Sequence, residues 1–365
     1  METLPTARAA ELCARRPATR ERSDLARAAA GGAGRLHRVD RRPEAPPAGL
    51  SRSPRRQEPG RVRAAGDRTV TSAARRTAVR ISNPDKLYWP DDGITKLDLI
   101  RYYHDVFPWL RAFVRDRLLS LERCPDGMRG DCFYQKEKPN GLPPDTPTSL
   151  VEHATGATNY VVGGRRETQP ALANLGCIAL HVWGSRKDAP RQPDWVCFDL
   201  DPQSGSLADA ARAALRVKQA LDALELTSFV KTSGARGAHV FVPIRVGPDT
   251  DDVKGFAVAL GAHLARAYPD ELTDEARTAG RRGRVYLDPF RNGFGQTVVS
   301  PYSVRRRPRA PVSMPLDWSE LDPALDPADF HIGNALARLE QADPWRDFFA
   351  HRQSLGPALR AVRSL

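Results

Sequence analysis

The first 78 residues contain no Phe, Trp, Tyr or Lys. Ala, Arg, Pro and Gly dominate there, as in RRPEAPPAGLSRSPRRQEPGR. Such a segment cannot bury enough apolar surface to offset its ordering entropy, so residues 1–78 are expected to be disordered. They lack the apolar stretch of a secretory signal peptide, and their acidic residues and prolines fit a transit peptide poorly. The whole chain lacks the run of about 20 apolar residues that a membrane span needs. It also lacks a CxxC pair. Its five cysteines (Cys13, Cys124, Cys132, Cys177, Cys197) cannot all pair among themselves. That argues against a cysteine zinc site and for a reduced, cytosolic protein.

What is present is charge and a core. Lys and Arg total 56 against 44 Asp and Glu, a formal net charge of +12 over 365 residues. The first 78 residues hold 18 Arg and 8 acidic residues, so +10 of that excess sits in the aromatic-free segment. A basic arm of this kind can grip nucleic acid non-specifically. A mis-assigned translation start in an arginine-rich genome would read the same way, and both readings stand. With 41% hydrophobic residues the remainder can build a sizeable core, as one large or two ordinary domains. The expected division is a basic segment over 1–78, a folded domain over 79–350 and a tail over 351–365.

Periodicity gives the expected elements. TAVRIS alternates as a strand, NPDKLYWPDDG is turn chemistry, and Thr95 with Asp98 opens one helix over KLDLIRYYHDVFPWLRAF. WVCFDLD (Trp195–Asp201) reads as a strand leading into the amphipathic helix LADAARAALRVKQALDAL. SFVKTSGARGAHVFVPI reads as strand, Gly-rich turn, strand, and DDVKGFAVALGAHLARAY as a helix. RRGRVYLDPFRN and QTVVSPYSVR are expected to pair as strands across a turn at Asn292–Gly295, and ADFHIGNALARLE to form a last helix. The mixture predicts α/β or α+β layers around mixed sheets.

Three features carry chemistry. Asp199 and Asp201 are two apart on an apolar strand, so both carboxylates project from one face while Phe198 and Leu200 face the other way. Adjacent carboxylates repel unless a cation or proton lies between them, and hard divalent ions take oxygen ligands. A water-facing pair at a strand end is the plainer alternative. In Lys231–His239 (KTSGARGAH), two glycines let the backbone turn tightly, and Ser233, Arg236 and His239 supply donors for a phosphate chain. A Gly-rich hairpin with a satisfied histidine is the alternative there. Asp288 ends a third strand behind Arg281, and a strand over SVRRR would align Ser303, Arg305 and Arg307 on one face.

These segments, with NPDKLYWPDDGITK, HVWGS, RVYLDPFRN and TVVSPYSVR, closely resemble the polymerase domain of bacterial ATP-dependent DNA ligase D, of the archaeo-eukaryotic primase superfamily. The resemblance runs from about residue 80 to about 345. It implies a primase-like catalytic core of mixed β-sheets flanked by helices. It implies that Asp199, Asp201 and Asp288 hold two catalytic Mn²⁺ or Mg²⁺ ions, and that Ser233, Arg236 and His239 form the triphosphate-binding turn. Arg281, Arg305, Arg307 and His181 would line the nucleotide pocket. Lys86 and Lys96 would contact the 5′-phosphate of a DNA end, and Phe133 and Tyr134 would stack near the templating base. The implied activity is two-metal transfer of nucleotides, with ribonucleotides favoured, to DNA 3′ ends at gaps and overhangs in non-homologous end joining. The chain is then expected in the bacterial cytoplasm, at the nucleoid. No KxDG ligase motif occurs in the sequence, so a separate ligase and the bacterial Ku protein are the implied partners. Two rivals remain at this stage: a haloacid-dehalogenase-type phosphatase, which also uses DxD after a strand, and a non-catalytic DNA-end-binding module. Pro202 and Gln203 after the DxD, and an unexplained Gly-rich turn, weigh against the phosphatase.

Overall fold

The structure, a computed structural model, describes residues 80–363. The basic segment over 1–78 and the first part of the TAVRIS strand lie outside them. Fourteen strands and seven α-helices occur among the described residues. In chain order they begin β1 (Leu87–Trp89), β2 (Ile94–Thr95), α1 (Lys96–Asp105), α2 (Phe107–Val114), β3 (Leu119–Arg123) and β4 (Phe133–Gln135). Next come β5 (Thr148–His153), β6 (Gly156–Val161), α3 (Thr168–Asn174), β7 (Cys177–Trp183), β8 (Trp195–Pro202) and α4 (Leu207–Ala223). Then follow β9 (Phe229–Thr232), β10 (Ala238–Pro243), α5 (Thr250–Ala267), β11 (Leu272–Thr273) and β12 (Val285–Asp288). The last are β13 (Thr297–Val299), β14 (Pro315–Leu316), α6 (Ala335–Gln341) and α7 (Gly356–Val362).

Two larger sheets organise the chain. One has six strands in the order β11–β12–β8–β10–β9–β14, antiparallel except at β11–β12, and the other has four in the order β13–β7–β3–β4. The long helices α4 and α5 pack against β8, and Phe256 of α5 meets Phe198 edge-on at 6.3 Å. The apolar face of β8 is therefore sealed by helices, and its carboxylate face is left for the other side.

Several expectations change for identifiable reasons. Residues 80–82 are not in a strand, and the stretch assigned to turn chemistry instead holds β1, because Tyr88 and Trp89 are fully buried. The helix expected over residues 96–113 is two, broken at Val106. Pro108 lies in the first turn of α2, where its missing N–H costs nothing, whereas within one continuous helix it would remove a hydrogen bond. The segments around Asp288 and Val298 do not pair with each other. β12 joins β8 and β13 joins β7, so the turn between them crosses from one sheet to the other. The helix expected over ADFHIGNALARLE is confined to Ala335–Gln341, after a 3₁₀ turn at Pro327–Asp329, and a further helix, α7, follows it. Arg305 to Arg307 are not in a strand. Ser303 points inward, accepting from the Leu180 N–H at 2.9 Å, and is not aligned with Arg305 and Arg307 over the site. Within the C-terminal segment, α7 buries Ala358 and Val362.

The chain is not wholly reduced either. Cys124 and Cys132 form a disulfide. Arg123 faces Phe133 in the β3–β4 ladder, so the next pair outward is these two cysteines. Cys177 and Cys197 are free and buried.

The entry to α1 follows the expected capping box. The Thr95 Oγ1 accepts from the Asp98 N–H at 3.2 Å, and the Asp98 carboxylate accepts from the Thr95 N–H at 2.9 Å. Thr95→Ala should lower stability by about 1 kcal/mol, read as a shift of the urea midpoint with an unchanged m-value. No shift would mean that packing alone holds this helix start.

Candidate active site

Trp195, Cys197, Asp199 and Asp201 share one face of β8. The first half of that face is covered by aromatic residues: Trp195 lies 5.4 Å from Phe241 and 6.3 Å from Phe349, ring to ring. The second half opens into a cavity of about 580 Å³. The antiparallel ladders set His239 and Asp288 directly across from Asp199, one on each side, and Tyr286 across from Asp201. Residues facing each other in such ladders share a sheet face. A strand from residue 195, one from 238 and one from 285 are thus needed to bring three aspartates and a histidine together.

A histidine and two arginines hold these carboxylates. His239 Nε2 lies 3.2 Å from Asp199 Oδ1. Arg291 Nε lies 3.0 Å from Asp199 Oδ2 and 3.2 Å from Asp288 Oδ2, so one guanidinium bridges the two. Burial would raise the Asp199 carboxyl, but His239 and Arg291 outweigh it and hold it far below the usual carboxylate range. Asp288 is pushed up by burial, which Arg291 only partly offsets. Burial and the buried Lys231 lower His239 to about 4. Its ring is therefore neutral at pH 7, and the Nε2–H donates to Asp199. Asp201 is the exposed member, and Arg281 Nη1 donates to it at 2.8 Å.

The Gly-rich turn joins β9 to β10 at the same end of the sheet. The Ser233 Oγ accepts from the N–H groups of Ala235 (3.2 Å) and Gly237 (3.1 Å), which closes the turn and leaves the hydroxyl proton free to donate. Gly234 has φ +66°, and a Cβ there would sit 2.6 Å from Arg305 Cγ. A Cβ on Gly237 would sit 2.4 Å from the Leu200 carbonyl oxygen. Both glycines let the turn pack onto β8 and the Arg305 segment.

The four-stranded sheet supplies the facing wall. His181 on β7 lies across from Ser120 on β3, and Tyr134 on β4 lies across from Glu122, two residues along. The rings of Tyr134 and His181 meet edge-on at 5.4 Å. Burial first, then Arg305 and Arg291, lower His181 well below its ordinary value.

The cavity thus gathers eleven of the fourteen residues to which the resemblance gives a role. Asp199, Asp201 and Asp288 line it with Ser233, Arg236 and His239, as do His181, Tyr134, Arg281, Arg305 and Arg307. Phe133, Lys86 and Lys96 do not. Phe133 is next to Tyr134 on a strand, so it points to the opposite face, where Arg123 lies 5.4 Å from its ring. Lys86 Nζ donates to the Pro125 carbonyl at 2.9 Å, and Lys96 Nζ to the Ser82 carbonyl at 2.6 Å. The two lysines are neighbours, since the Lys96 N–H donates to the Lys86 carbonyl at 2.8 Å. Burial and Lys86 lower Lys96 to about 8. Sequence reading missed Arg291. Its signal was its place three residues after Asp288, in reach once Pro289 turns the chain.

The donor set fits a divalent cation. Three carboxylates on adjacent strands already draw cationic side chains, and an arginine bridges two of them. Among the described residues, no three such ligands are gathered closely enough as they stand to hold an ion. Arg281 and Arg291 occupy the carboxylate oxygens instead.

Two sheets closing on a cavity with an acidic floor and a cationic rim define an α/β fold of the kind seen in a polymerase domain. The structure matches that titled "Polymerase Domain from Mycobacterium tuberculosis Ligase D in complex with DNA" with a TM-score of 0.70. The two chains are 27% identical, over 74% of this chain and 97% of that one. The family described as "LigD, primase-polymerase domain" matches residues 95–345, and the chain belongs to that family. It is 32% identical over 305 residues to the multifunctional non-homologous end joining protein LigD of Pseudomonas aeruginosa, covering 81% of this chain and 36% of that protein. It is 30% identical over 278 residues to the bifunctional LigD of Bacillus subtilis, covering 75% of this chain and 45% of that protein. The chain spans less than half the length of these relatives. The mixed α/β fold is as expected, and the family leaves the dehalogenase-type reading without support. No helix among the described residues is long and apolar enough to cross a membrane.

Proposed function

We propose that this protein transfers nucleotides from nucleoside triphosphates to DNA 3′ ends at gaps and overhangs, as a step of non-homologous end joining. The observation that carries this reading is the cavity with three aspartates on adjacent strands and a rim of Ser233, Arg236, Arg305 and Arg307. Asp199, Asp201 and Asp288 would hold two Mn²⁺ or Mg²⁺ ions. Such ions, when bound, lower the pKa of a primer 3′-hydroxyl and offset charge on departing pyrophosphate. The chain's own groups do the positioning. His239, neutral, fixes Asp199 by one hydrogen bond. Ser233, Arg236, Arg305 and Arg307 would neutralise the triphosphate, with Arg281 and His181 bordering it. Tyr134, 63% exposed, presents a ring on which a templating base can stack.

The relatives' end-joining role and the DNA in the solved polymerase-domain complex support DNA as the acceptor. The preference for ribonucleotides, the ligase and Ku as partners, residence at the nucleoid and a nucleic-acid grip by residues 1–78 complete the proposal. Primer extension on gapped DNA, with Mn²⁺ or Mg²⁺ and with ribo- or deoxyribonucleotides, tests it. Primer growth with pyrophosphate release is expected. DNA binding with no growth under any of these conditions would leave an end-binding module.

Lys86 and Lys96 belong to the same reading as the site for the 5′-phosphate across a gap. They lie together where β2 leads into α1. A charged hydrogen bond is worth about 1.5–3 kcal/mol, so each Lys→Ala should weaken binding of a phosphorylated gap by roughly 10- to 150-fold. The loss should vanish on a 5′-hydroxyl gap. Fluorescence-anisotropy titrations of both substrates check this, and equal losses on both would reduce these lysines to general attraction.

A further inference from the structure

The ladder between β12 and β8 stops where Asp288 faces Asp199. The chain then leaves the sheet through Pro289 and a 3₁₀ turn over Phe290–Asn292. Cys197, two residues before Asp199, therefore has no partner residue of β12 beside it. A buried backbone N–H or C=O left unpaired would cost about as much as a lost hydrogen bond. The side chain of Asn292 takes the missing place. Its Oδ1 accepts from the Cys197 N–H at 2.8 Å, and its Nδ2 donates to the Cys197 carbonyl at 2.7 Å. The carboxamide thus pairs with β8 as one more strand residue would.

The same Nδ2 also donates to the Pro289 carbonyl at 2.9 Å. One side chain therefore ties the strand just before Asp199 to the turn just after Asp288. Arg291, which bridges those two carboxylates, is the adjoining residue. Asn292 is itself 6% exposed and is not among the residues that line the cavity. This set of bonds needs one acceptor and two donors on a short side chain. A carboxylate has no donor and a hydroxyl has only one.

We propose that Asn292 is a positioning residue: its carboxamide fixes where Asp288 stands relative to Asp199, and so sets how tightly the pair holds a divalent cation. This rests on the nucleotide-transfer reading above. Two carboxylates on separate strands can share an ion only while the strands keep their spacing, and Asn292 supplies that constraint where the ladder has ended. Groups that orient the ligands of a metal are worth roughly 10- to 100-fold in affinity.

The test reads metal binding apart from turnover. Mn²⁺ titrations of the full chain, without DNA or nucleotide, are followed by the electron paramagnetic resonance signal of the free ion. Wild type, Asn292→Ala and Asn292→Asp are compared, each with its urea midpoint and its affinity for gapped DNA. Asn292→Asp keeps the shape and the acceptor for the Cys197 N–H but loses both donors. Both variants should lose roughly 10- to 100-fold in Mn²⁺ affinity with DNA affinity unchanged. In primer extension kcat should fall while KM for the nucleotide stays. Asn292→Asp decides the matter if Asn292→Ala does not fold, and failure of both to fold would overturn the assignment. Equal losses of Mn²⁺ and DNA affinity would overturn it too, since they mark general damage to the fold. Weakened Mn²⁺ binding in the variants, without extension by wild type, would sink nucleotide transfer and leave the positioning role standing. Extension by wild type with unchanged Mn²⁺ affinity in the variants would do the reverse.

Discussion

Asp199→Asn should abolish nucleotide addition while DNA binding survives. The asparagine keeps the shape and one acceptor oxygen, so it can accept from only one of His239 and Arg291, which sit on different oxygens of Asp199, and it removes the charge that a hard cation needs. Losing that electrostatic stabilisation should cost several kcal/mol in the transition state, on the order of 10³-fold or more in rate. Asp201→Ala should do the same with less effect on folding, since Asp201 is the exposed member, 60% accessible and held only by Arg281. Asp199→Ala would differ, because it leaves His239 and Arg291 with an empty place between them. Single-turnover primer extension alongside DNA-binding titrations checks the pair of outcomes. Near-normal extension by either variant would remove these aspartates from the chemistry.

Asp194→Ala should be the most destabilising single change that leaves the cavity residues in place. Asp194 lies just before the catalytic strand, 1% exposed, and ion-pairs with the fully buried Arg117, which stacks over Trp195 at 3.5 Å. Arg186 Nε at 2.9 Å and Arg352 at 3.5 Å complete the cluster. Removing the only carboxylate of this cluster among the described residues would leave Arg117 charged and buried without a counterion, at a cost of about 3–5 kcal/mol. Chemical denaturation should show it as a lowered midpoint. The pH dependence has a definite sign. Burial would raise Asp194, but the arginines outweigh it and lower it. A carboxyl depressed in the folded state adds stability above its unfolded value of about 3.9, and loses it as pH falls through the folded value. The gap between wild type and Asp194→Ala should therefore stay constant from about pH 5 to pH 8 and narrow below about pH 4. A constant gap down to pH 2 would mean that lost packing, not lost charge, explains the cost.

Some of this was readable before any coordinates. The β8 strand, the helices α4 and α5 and the capping box at Thr95 follow from period and composition over a few residues, where local geometry decides the outcome. The Asp199–Asp201 pair was visible for the same reason, since alternation along one strand puts both on one face. Asp288 and His239 could be tied to Asp199 only by resemblance, because sequence spacing does not say which strands become neighbours. Arg291, Ser120 and the Cys124–Cys132 bridge were not foreseen. Each depends on what lies across a ladder or a turn, and a single chain pattern carries no register.

The sequence by itself determined which residues could do chemistry, where the basic excess sits and which stretches alternate or wind. Only the tertiary structure decided that β12 pairs with β8 while β13 crosses to the other sheet. That crossing sets His181, Ser120 and Tyr134 opposite the aspartates. It also decided that Tyr134 faces the cavity while Phe133 turns away, and that Arg291 lies between two carboxylates. The physical reason is common to all of these. Side-chain direction along an element is local and follows from backbone period, whereas neighbourhood across elements is settled by how the whole apolar surface is buried at once.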